Sequence, residues 1–356
     1  MRFPEFTGEW KECKLSDFCT FFSGGTPSSS NKDFYGGDIA FIRSGELHAD
    51  STELFITQVG FESSSAKMVE VGDLLLAMYG ATSGDIAISK IEGAINQAIL
   101  CIKTKYNKKF IESVWNKHVS RILRKYLQGG QGNLSADIVK GISFSFPTLT
   151  EQERIANFMS LLDERIVTQN KIIDKLQTLI KGIAQNIACN NRPNIRISEC
   201  LECNSSTMQE SDVCEHGTYP VYGANGIVGY LDNYNTEGEA IYIIKDGSGV
   251  GTVSYVTGKC SGTGTLNTLQ TKKGYSLQYL YYMLKVFSFD SYKTGMAIPH
   301  IYFKDYGKAK IFCPSYTEQL QYARLLFAID NKLSTEQRLL TSLILQKQYL
   351  LRQMFI

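Results

Sequence analysis

Cys200, Cys203, Cys214 and His216 lie close enough in the chain to be tested as metal ligands. The gap between the first two matches one half of a zinc site, but Cys-x-His is too tight for the other half. Cys200 and Cys203 also flank Leu201 in a short amphipathic stretch, where a cysteine serves as a small apolar filler. Gly247-Ser248-Gly249-Val250-Gly251 has the glycine density of a phosphate-binding turn. It lacks the third spaced glycine and runs into Thr252-Val253-Ser254-Tyr255-Val256, a strand pattern, so no helix N-terminus would meet a pyrophosphate and a hairpin turn is favoured. His48, His118, His216 and His300 show neither metal spacing nor a paired nucleophile. No GxxxxGK[ST] loop is present, which argues against ATP binding here. The remaining chemistry is cationic. Lys103, Lys105, Lys108, Lys109, Lys117, Arg121, Arg124 and Lys125 stand against Glu112 alone, a local net charge of +7. Lys117, Arg121 and Arg124 share a helix face by spacing, which suits either phosphate contact or a solvated face.

The elements that must position these residues come in duplicate. Phe146–Ile166 reads FPTLTEQERIANFMSLLDERI and Cys313–Leu333 reads CPSYTEQLQYARLLFAIDNKL. Pro147 aligns with Pro314, Thr150-Glu151-Gln152 with Thr317-Glu318-Gln319, Ala156 with Ala323 and Asp163 with Asp330, always 167 residues apart. A period this long means two copies of a domain-sized unit rather than a solenoid. The length of 356 residues agrees with two or three domains. A 43% hydrophobic and 20% charged composition with net charge +2 excludes disordered and fibrous classes. Nine scattered cysteines suit a reducing compartment, no apolar run approaches a membrane span, and the start carries no apolar signal core, so a cytoplasmic location is expected.

From Ile155, alternating steps of four and three reach Met159, Leu162, Ile166, Gln169, Ile173, Leu176, Ile180, Ile183 and Ile187. Nine of these ten positions are apolar, which is a coiled-coil seam. The second copy gives Tyr322, Leu326, Ile329, Leu333, Glu336, Leu340, Leu343, Lys347, Leu350 and Met354, with Glu336 and Lys347 as exceptions. Thr150 with Glu153 reads as a capping box, and Thr317 as a cap alone. Two such helices, each roughly 50 Å long, need a partner for their seams. The expectation is that they pack on one another, antiparallel if the copies are related by a two-fold axis.

The intervening segments, 1–149 and 192–314, are expected to be mixed domains. Strand patterns fall at Ile39–Arg43, Asp73–Met78, Ile86–Ser89 and Ile99–Lys103, then at Ala240–Lys245 and Gly251–Val256. Each copy continues with a helix, Phe110–Leu127 or Leu277–Phe287, a glycine-bearing loop and a last strand into the proline. The fold class is therefore α+β: two pseudo-repeated mixed α/β domains joined by two long antiparallel coiled-coil helices at 150–191 and 315–356. Asn190-Asn191-Arg192-Pro193 marks the join.

The chain resembles the specificity subunit of type I restriction–modification enzymes. The resemblance rests on Arg2-Phe3-Pro4-Glu5-Phe6 with Trp10, Gly24-Gly25-Thr26-Pro27-Ser28, Tyr35-Gly36-Gly37-Asp38-Ile39 and Gly72-Asp73-Leu74-Leu75. It continues through Gly80-Ala81-Thr82-Ser83-Gly84, Asn96-Gln97-Ala98, Tyr219-Pro220-Val221-Tyr222-Gly223, Asp246 to Gly251 and both Thr-Glu-Gln helix starts. It implies two target recognition domains that each read half of a bipartite, asymmetric site in double-stranded DNA, with the paired helices setting the spacer. It further implies two methyltransferase subunits and restriction subunits as partners. S-adenosylmethionine, ATP and Mg would be held by those partners, with no cofactor on this chain. The Asn/Asp-Pro-Pro-aromatic tetrapeptide of amino-methyltransferase sites is missing, in keeping with a non-catalytic subunit.

Base reading needs amides, hydroxyls and cations on glycine-supported loop tips. The candidates are Thr26, Ser28, Arg43, Ser44, Tyr79, Gln131 and Asn133, with Lys117 and Arg121 for phosphate, and Tyr222, Asn225, Lys245, Ser248, His300 and Tyr302 in the second copy. Asn133 and His300 occupy the same place in the repeat. A turn-stabilising role competes at each position. Residues 193–314 carry 10 basic against 11 acidic residues, so the second domain offers no cationic stripe. The alternative is a coiled-coil scaffold whose domains bind protein or carbohydrate.

Overall fold

Four helices carry the architecture: α1 (Lys108–Tyr126), α2 (Leu149–Cys189), α3 (Leu277–Val286) and α4 (Tyr316–Met354). Every one of the ten seam positions on α2, and every one of the ten on α4, is buried or half-buried. The computed structural model describes residues 2–126, 133–295 and 298–355. It divides into two compact units, residues 1–168 with 340–356 and residues 169–339, so that each long helix is shared between them.

In the first unit, Ile155, Met159 and Leu162 of α2 enter one core with Leu350 and Met354 of α4 and with Phe355. Phe110 and Trp115 from α1 and Phe144 and Phe146 complete that core. Asp163 of α2 is clamped between Lys109 of α1, 2.7 Å away, and Lys347 of α4. In the second unit, Ile180 and Ala184 of α2 line a cleft of about 430 Å³ with Asp330 and Leu333 of α4 and Tyr282 of α3. Gln169, nearer the start of α2, meets Glu336, nearer the end of α4. The segments therefore run antiparallel there, with the seams facing as the periodicity required.

The helix starts differ from the sequence expectation. Thr148, not Thr150, accepts from the Glu151 amide at 3.4 Å, and Glu153 is exposed. In the second copy the Glu318 carboxylate reaches back to Ser315, taking its amide at 3.1 Å and its hydroxyl at 2.6 Å. The caps thus sit two residues earlier. This frees Gln152 and Gln319 to fold back onto the carbonyls of Pro147 and Pro314, at 3.0 and 2.9 Å. Buried Glu151 accepts from Arg2 Nε and Nη2, each at 2.6 Å, and from the Trp10 indole at 3.3 Å, which ties the N-terminal segment to α2.

Each unit holds a four-stranded antiparallel sheet. The first contains β1 (Cys19–Ser23), β2 (Leu74–Ala77), β3 (Ile86–Ile88) and β4 (Ile99–Thr104), in the order β1-β4-β2-β3. The second contains β5 (Leu201–Ser205), β6 (Glu239–Ile244), β7 (Val253–Thr257) and β8 (Leu266–Thr271), in the order β5-β8-β6-β7. Strand β2 is buried on both faces, so its sequence, Leu-Leu-Leu-Ala, runs apolar without alternation. A smaller sheet accompanies each: 55–56, 35–42, 93–95 and 67–69 in the first unit, and 226–231, 219–223 and 261–262 in the second. In both, the central strand pairs in parallel with the strand just before β4 or β8.

Candidate nucleic-acid interface

The hairpin leaving β2 closes through Gly80 to Gly84. Ser83 donates to the Gly80 carbonyl at 3.1 Å, and Gly84 to Ala77 at 2.8 Å. Gly84 has φ +87°, and a Cβ there would stand 2.9 Å from a Val119 methyl of α1, so only glycine fits. Trp115 of α1 holds the turn from beneath, donating its indole N–H to the Gly84 carbonyl at 2.8 Å. Two further segments are stitched to the same strand end. The Met78 amide donates to Ala98 at 2.8 Å, and the Leu134 amide to Met78 at 3.0 Å.

The second unit repeats these bonds 167 residues later. Val250 donates to Gly247 at 3.1 Å, Gly251 to Ile244 at 2.9 Å, Lys245 to Thr265 at 2.9 Å and Ile301 to Lys245 at 2.9 Å. Gly251 has φ +90°, with the Phe289 side chain beneath it. A parallel-strand junction also recurs: Asn96 donates to Ile42 at 3.4 Å, and Thr263 to Tyr222 at 2.9 Å. The glycine stretch that could be mistaken for a nucleotide fingerprint is therefore a hairpin turn. The backbone frame is kept while its side chains change: Met78 becomes Lys245, Tyr79 becomes Asp246, Ala81 becomes Ser248, Asn133 becomes His300 and Ser135 becomes Tyr302. The turns thus keep their bonding while the side chains they present differ.

The structure gathers most candidates of the first unit at this junction. Thr26 is exposed and donates to Gln97, the residue before Ala98. Arg43 and Ser44 follow the Ile42 carbonyl that holds Asn96. Tyr79 follows Met78, and exposed Asn133 precedes Leu134. Gln131 lies outside the described residues. Arg43 is committed to a turn, with its Nη2 2.8 Å from Glu46. Ser28 bonds Ser30 at 2.8 Å within its own turn. In the second unit Lys245, Ser248, His300 and Tyr302 belong to the glycine turn and the segment pinned across it. Tyr222 supplies the carbonyl for Thr263, and exposed Asn225 sits at the tip of the neighbouring hairpin. Tyr302 is 48% exposed, with the Lys304 ammonium 5.2 Å from its ring centre.

Three lysines of the cationic stretch are paired within the fold. Lys103 and Lys108 are held by buried Asp73 at 2.6 and 3.3 Å, and Lys109 by Asp163. Lys117 is half-buried and donates to the Phe355 carbonyl. With Arg121 it lines a cleft shared with Glu12, His118 and Ser143. That cleft faces away from the glycine turn, because Val119 and Leu123 are the α1 residues against Gly84, and at about 100° per residue they stand roughly opposite Lys117 and Arg121. Lys117 and Arg121 are thus not brought to the junction. Burial, and then Arg121, lowers the Lys117 pKa.

Three side chains at these junctions were missed by sequence reasoning. Gln97 is exposed beside Thr26, and its motif, Asn96-Gln97-Ala98, signalled it. His48 stands 2.9 Å from Asp85, the residue after Gly84; that hydrogen bond raises its pKa against the opposing effect of burial. Asp246 lies 2.6 Å from His300. Neither histidine has its partner nearby in sequence. For the cysteine cluster, no group of three or more His, Cys, Asp or Glu side chains is placed to hold a metal among the described residues. Cys200 is buried and Cys214 exposed. No helix among the described residues is long and apolar enough to cross a membrane.

Comparison with known proteins agrees with this duplicated frame. The family model described as "Type I restriction modification DNA specificity domain" matches residues 7–178 and again 194–344. The specificity subunit of the MjaIX type I restriction enzyme of Methanocaldococcus jannaschii is 26% identical over 182 residues, 47% of this chain and 42% of that protein. The EcoprrI specificity subunit of Escherichia coli is 27% identical over 112 residues, 32% of this chain and 28% of that protein. The chain thus spans less than half the length of these two relatives. In fold, it is similar to the crystal structure of the type I restriction–modification S subunit from M. genitalium, with a TM-score of 0.70 at 18% identity over 100% of this chain and 99% of that one.

Proposed function

We propose, from the premise that this chain belongs to the type I restriction modification DNA specificity domain family, that it is the sequence-reading, non-catalytic subunit of a DNA-modifying and DNA-cleaving complex. Each unit reads one half of a bipartite, asymmetric site in double-stranded DNA through its glycine-turn junction. The two long helices hold the readers at a fixed separation and so set the spacer. The observation that carries this reading is the pair of junctions with the same backbone bonds and different exposed side chains.

Methyl transfer and cleavage belong to partners in this reading: two methyltransferase subunits using S-adenosylmethionine, and restriction subunits using ATP and Mg. Major-groove reading falls to Thr26, Gln97, Tyr79 and Asn133 in the first unit and to Lys245, Ser248, His300 and Tyr302 in the second. Phosphate contact along the groove is shared with the partners, since three of the first unit's lysines are spent on Asp73 and Asp163.

The test is to assemble the chain with its methyltransferase subunits and map methylated positions on random-sequence DNA. One asymmetric two-part motif with a fixed gap is expected, with affinity falling steeply as salt rises. Methylation without a two-part motif, or no DNA binding by the assembled complex, would refute the reading in favour of a protein- or carbohydrate-binding scaffold.

A further inference from the structure

His300 is fixed from three directions. Its backbone exchanges hydrogen bonds with Thr294, donating at 2.7 Å and accepting at 2.8 Å. The preceding residue, Pro299, accepts from the Gly247 amide at 3.0 Å, which seats the segment on the glycine turn. Its ring nitrogen Nδ1 lies 2.6 Å from Asp246 Oδ1, with the two side chains 36% and 34% exposed. A carboxylate can only accept, so the neutral ring carries its proton on Nδ1 and leaves Nε2 as a lone-pair acceptor. The result is an oriented acceptor, with exposed Ser248 two residues after Asp246 and exposed Tyr302 two residues after His300.

The first unit has a different pair of residues at the same positions, Asn133 and Tyr79. An asparagine amide offers both a donor and an acceptor, whereas the oriented imidazole offers an acceptor alone. The exocyclic amines of adenine and cytosine are the major-groove donors that such an acceptor satisfies, and guanine and thymine present none there.

Resting on the DNA-reading function above, we infer that His300, oriented by Asp246, sets the base accepted at one position of the second unit's half-site, by accepting a hydrogen bond from an exocyclic amino group. Asp246 is a positioning residue. Substituting it disturbs the ring's tautomer and aim without removing the ring.

The experiment uses the chain assembled with its methyltransferase subunits and a duplex library in which every position of the wild-type site is varied to all four bases. Wild type, H300N, H300A and D246N are compared, each checked for an unchanged melting temperature. Failure of the wild-type complex to select any two-part site would count against the function rather than against this inference. With wild type selecting normally, H300A is expected to reduce discrimination roughly tenfold at one position of one half-site. H300N is expected to change the preferred base at that position, and D246N to relax the same position, with the other half-site unaltered in all three. Unchanged base preferences in all three variants would overturn the inference. So would a loss spread evenly over both half-sites, which is what a merely structural role produces.

Discussion

Gln169 hydrogen-bonds the residue that occupies its own place in the other copy. Its amide nitrogen donates to the Glu336 carbonyl at 3.1 Å and to the Glu336 carboxylate, and the two positions are 167 residues apart in the repeat. Two antiparallel helices bring a residue against its own equivalent at a single level, and Gln169 and Glu336 mark it. Gln169 is the one polar residue of its seam and Glu336 one of two in the other, and both are buried. Lys332 also reaches Glu336, and these bonds together lower the Glu336 pKa.

A polar pair inside a seam fixes register more than it adds stability. Q169L should therefore lower the melting temperature by about 2–4 °C, since it leaves Glu336 facing an apolar side chain. The double variant Q169L/E336L should recover most of the loss. Thermal melts of the three proteins decide this, and a double variant no better than the single one would contradict it.

Asp163, one of the aligned identities, ties α1, α2 and α4 in the first unit through Lys109 and Lys347. Burial pushes its pKa up, but the two ammonium groups outweigh burial and hold it below the ordinary carboxylate value of 3.8. A depressed folded-state pKa contributes stability above the unfolded value, and that contribution is lost as pH falls through the folded one. D163N should thus cost about 1 kcal/mol at pH 7, with the difference from wild type shrinking as pH falls below the ordinary carboxylate value of 3.8. Urea titrations across that range measure it.

The seams were legible because burial against one partner imposes a 3.5-residue period that survives in the residue types. The partners of their polar exceptions were not. That Gln169 faces Glu336, or Lys347 faces Asp163, depends on antiparallel register, and the sequence alone left that register open. The pairing inside the cationic stretch was hidden for a related reason: composition shows the charges on Lys103, Lys108 and Lys109 but not the distant Asp73 and Asp163 that neutralise them. The glycine turns could have been aligned, because Gly80 and Gly84 precede Gly247 and Gly251 by the same 167 residues. The front strands could not, because Cys19 and Leu201, which face equivalent residues Thr104 and Thr271, are 182 apart.

His118 is packed on Phe144, ring centres 5.5 Å apart. Burial first, then Arg121 and Lys117, push its pKa down to about 4. The unfolded chain takes up this proton near pH 6.5 and the folded chain does not, so stability should fall as pH drops from 6.5 toward 4. Between pH 7.5 and 5 the loss attributable to His118 should be about 1–2 kcal/mol, and H118Q should remove that part of the slope. Denaturant midpoints for wild type and H118Q at the two pH values test it; parallel slopes would exclude His118 as the source.

Gly80 and Gly84 separate backbone strain from crowding within one turn. Both have positive φ, +76° and +87°, but a Cβ at Gly80 meets open space while one at Gly84 meets Val119 and Leu123 at 2.9 and 3.0 Å. G80A should therefore cost only the conformational term, about 1–2 kcal/mol. G84A adds displacement of two α1 side chains and disturbs the carbonyl that Trp115 holds, for a further 1–3 kcal/mol or so. Because Met78 in the same hairpin carries the segments bearing Gln97 and Asn133, G84A should also weaken selection at the first half-site while leaving the second as in wild type. Urea denaturation of both variants, followed by methylation-site mapping of the assembled complex, checks the two parts. Equal destabilisation by G80A and G84A would show that packing beneath the turn does not matter.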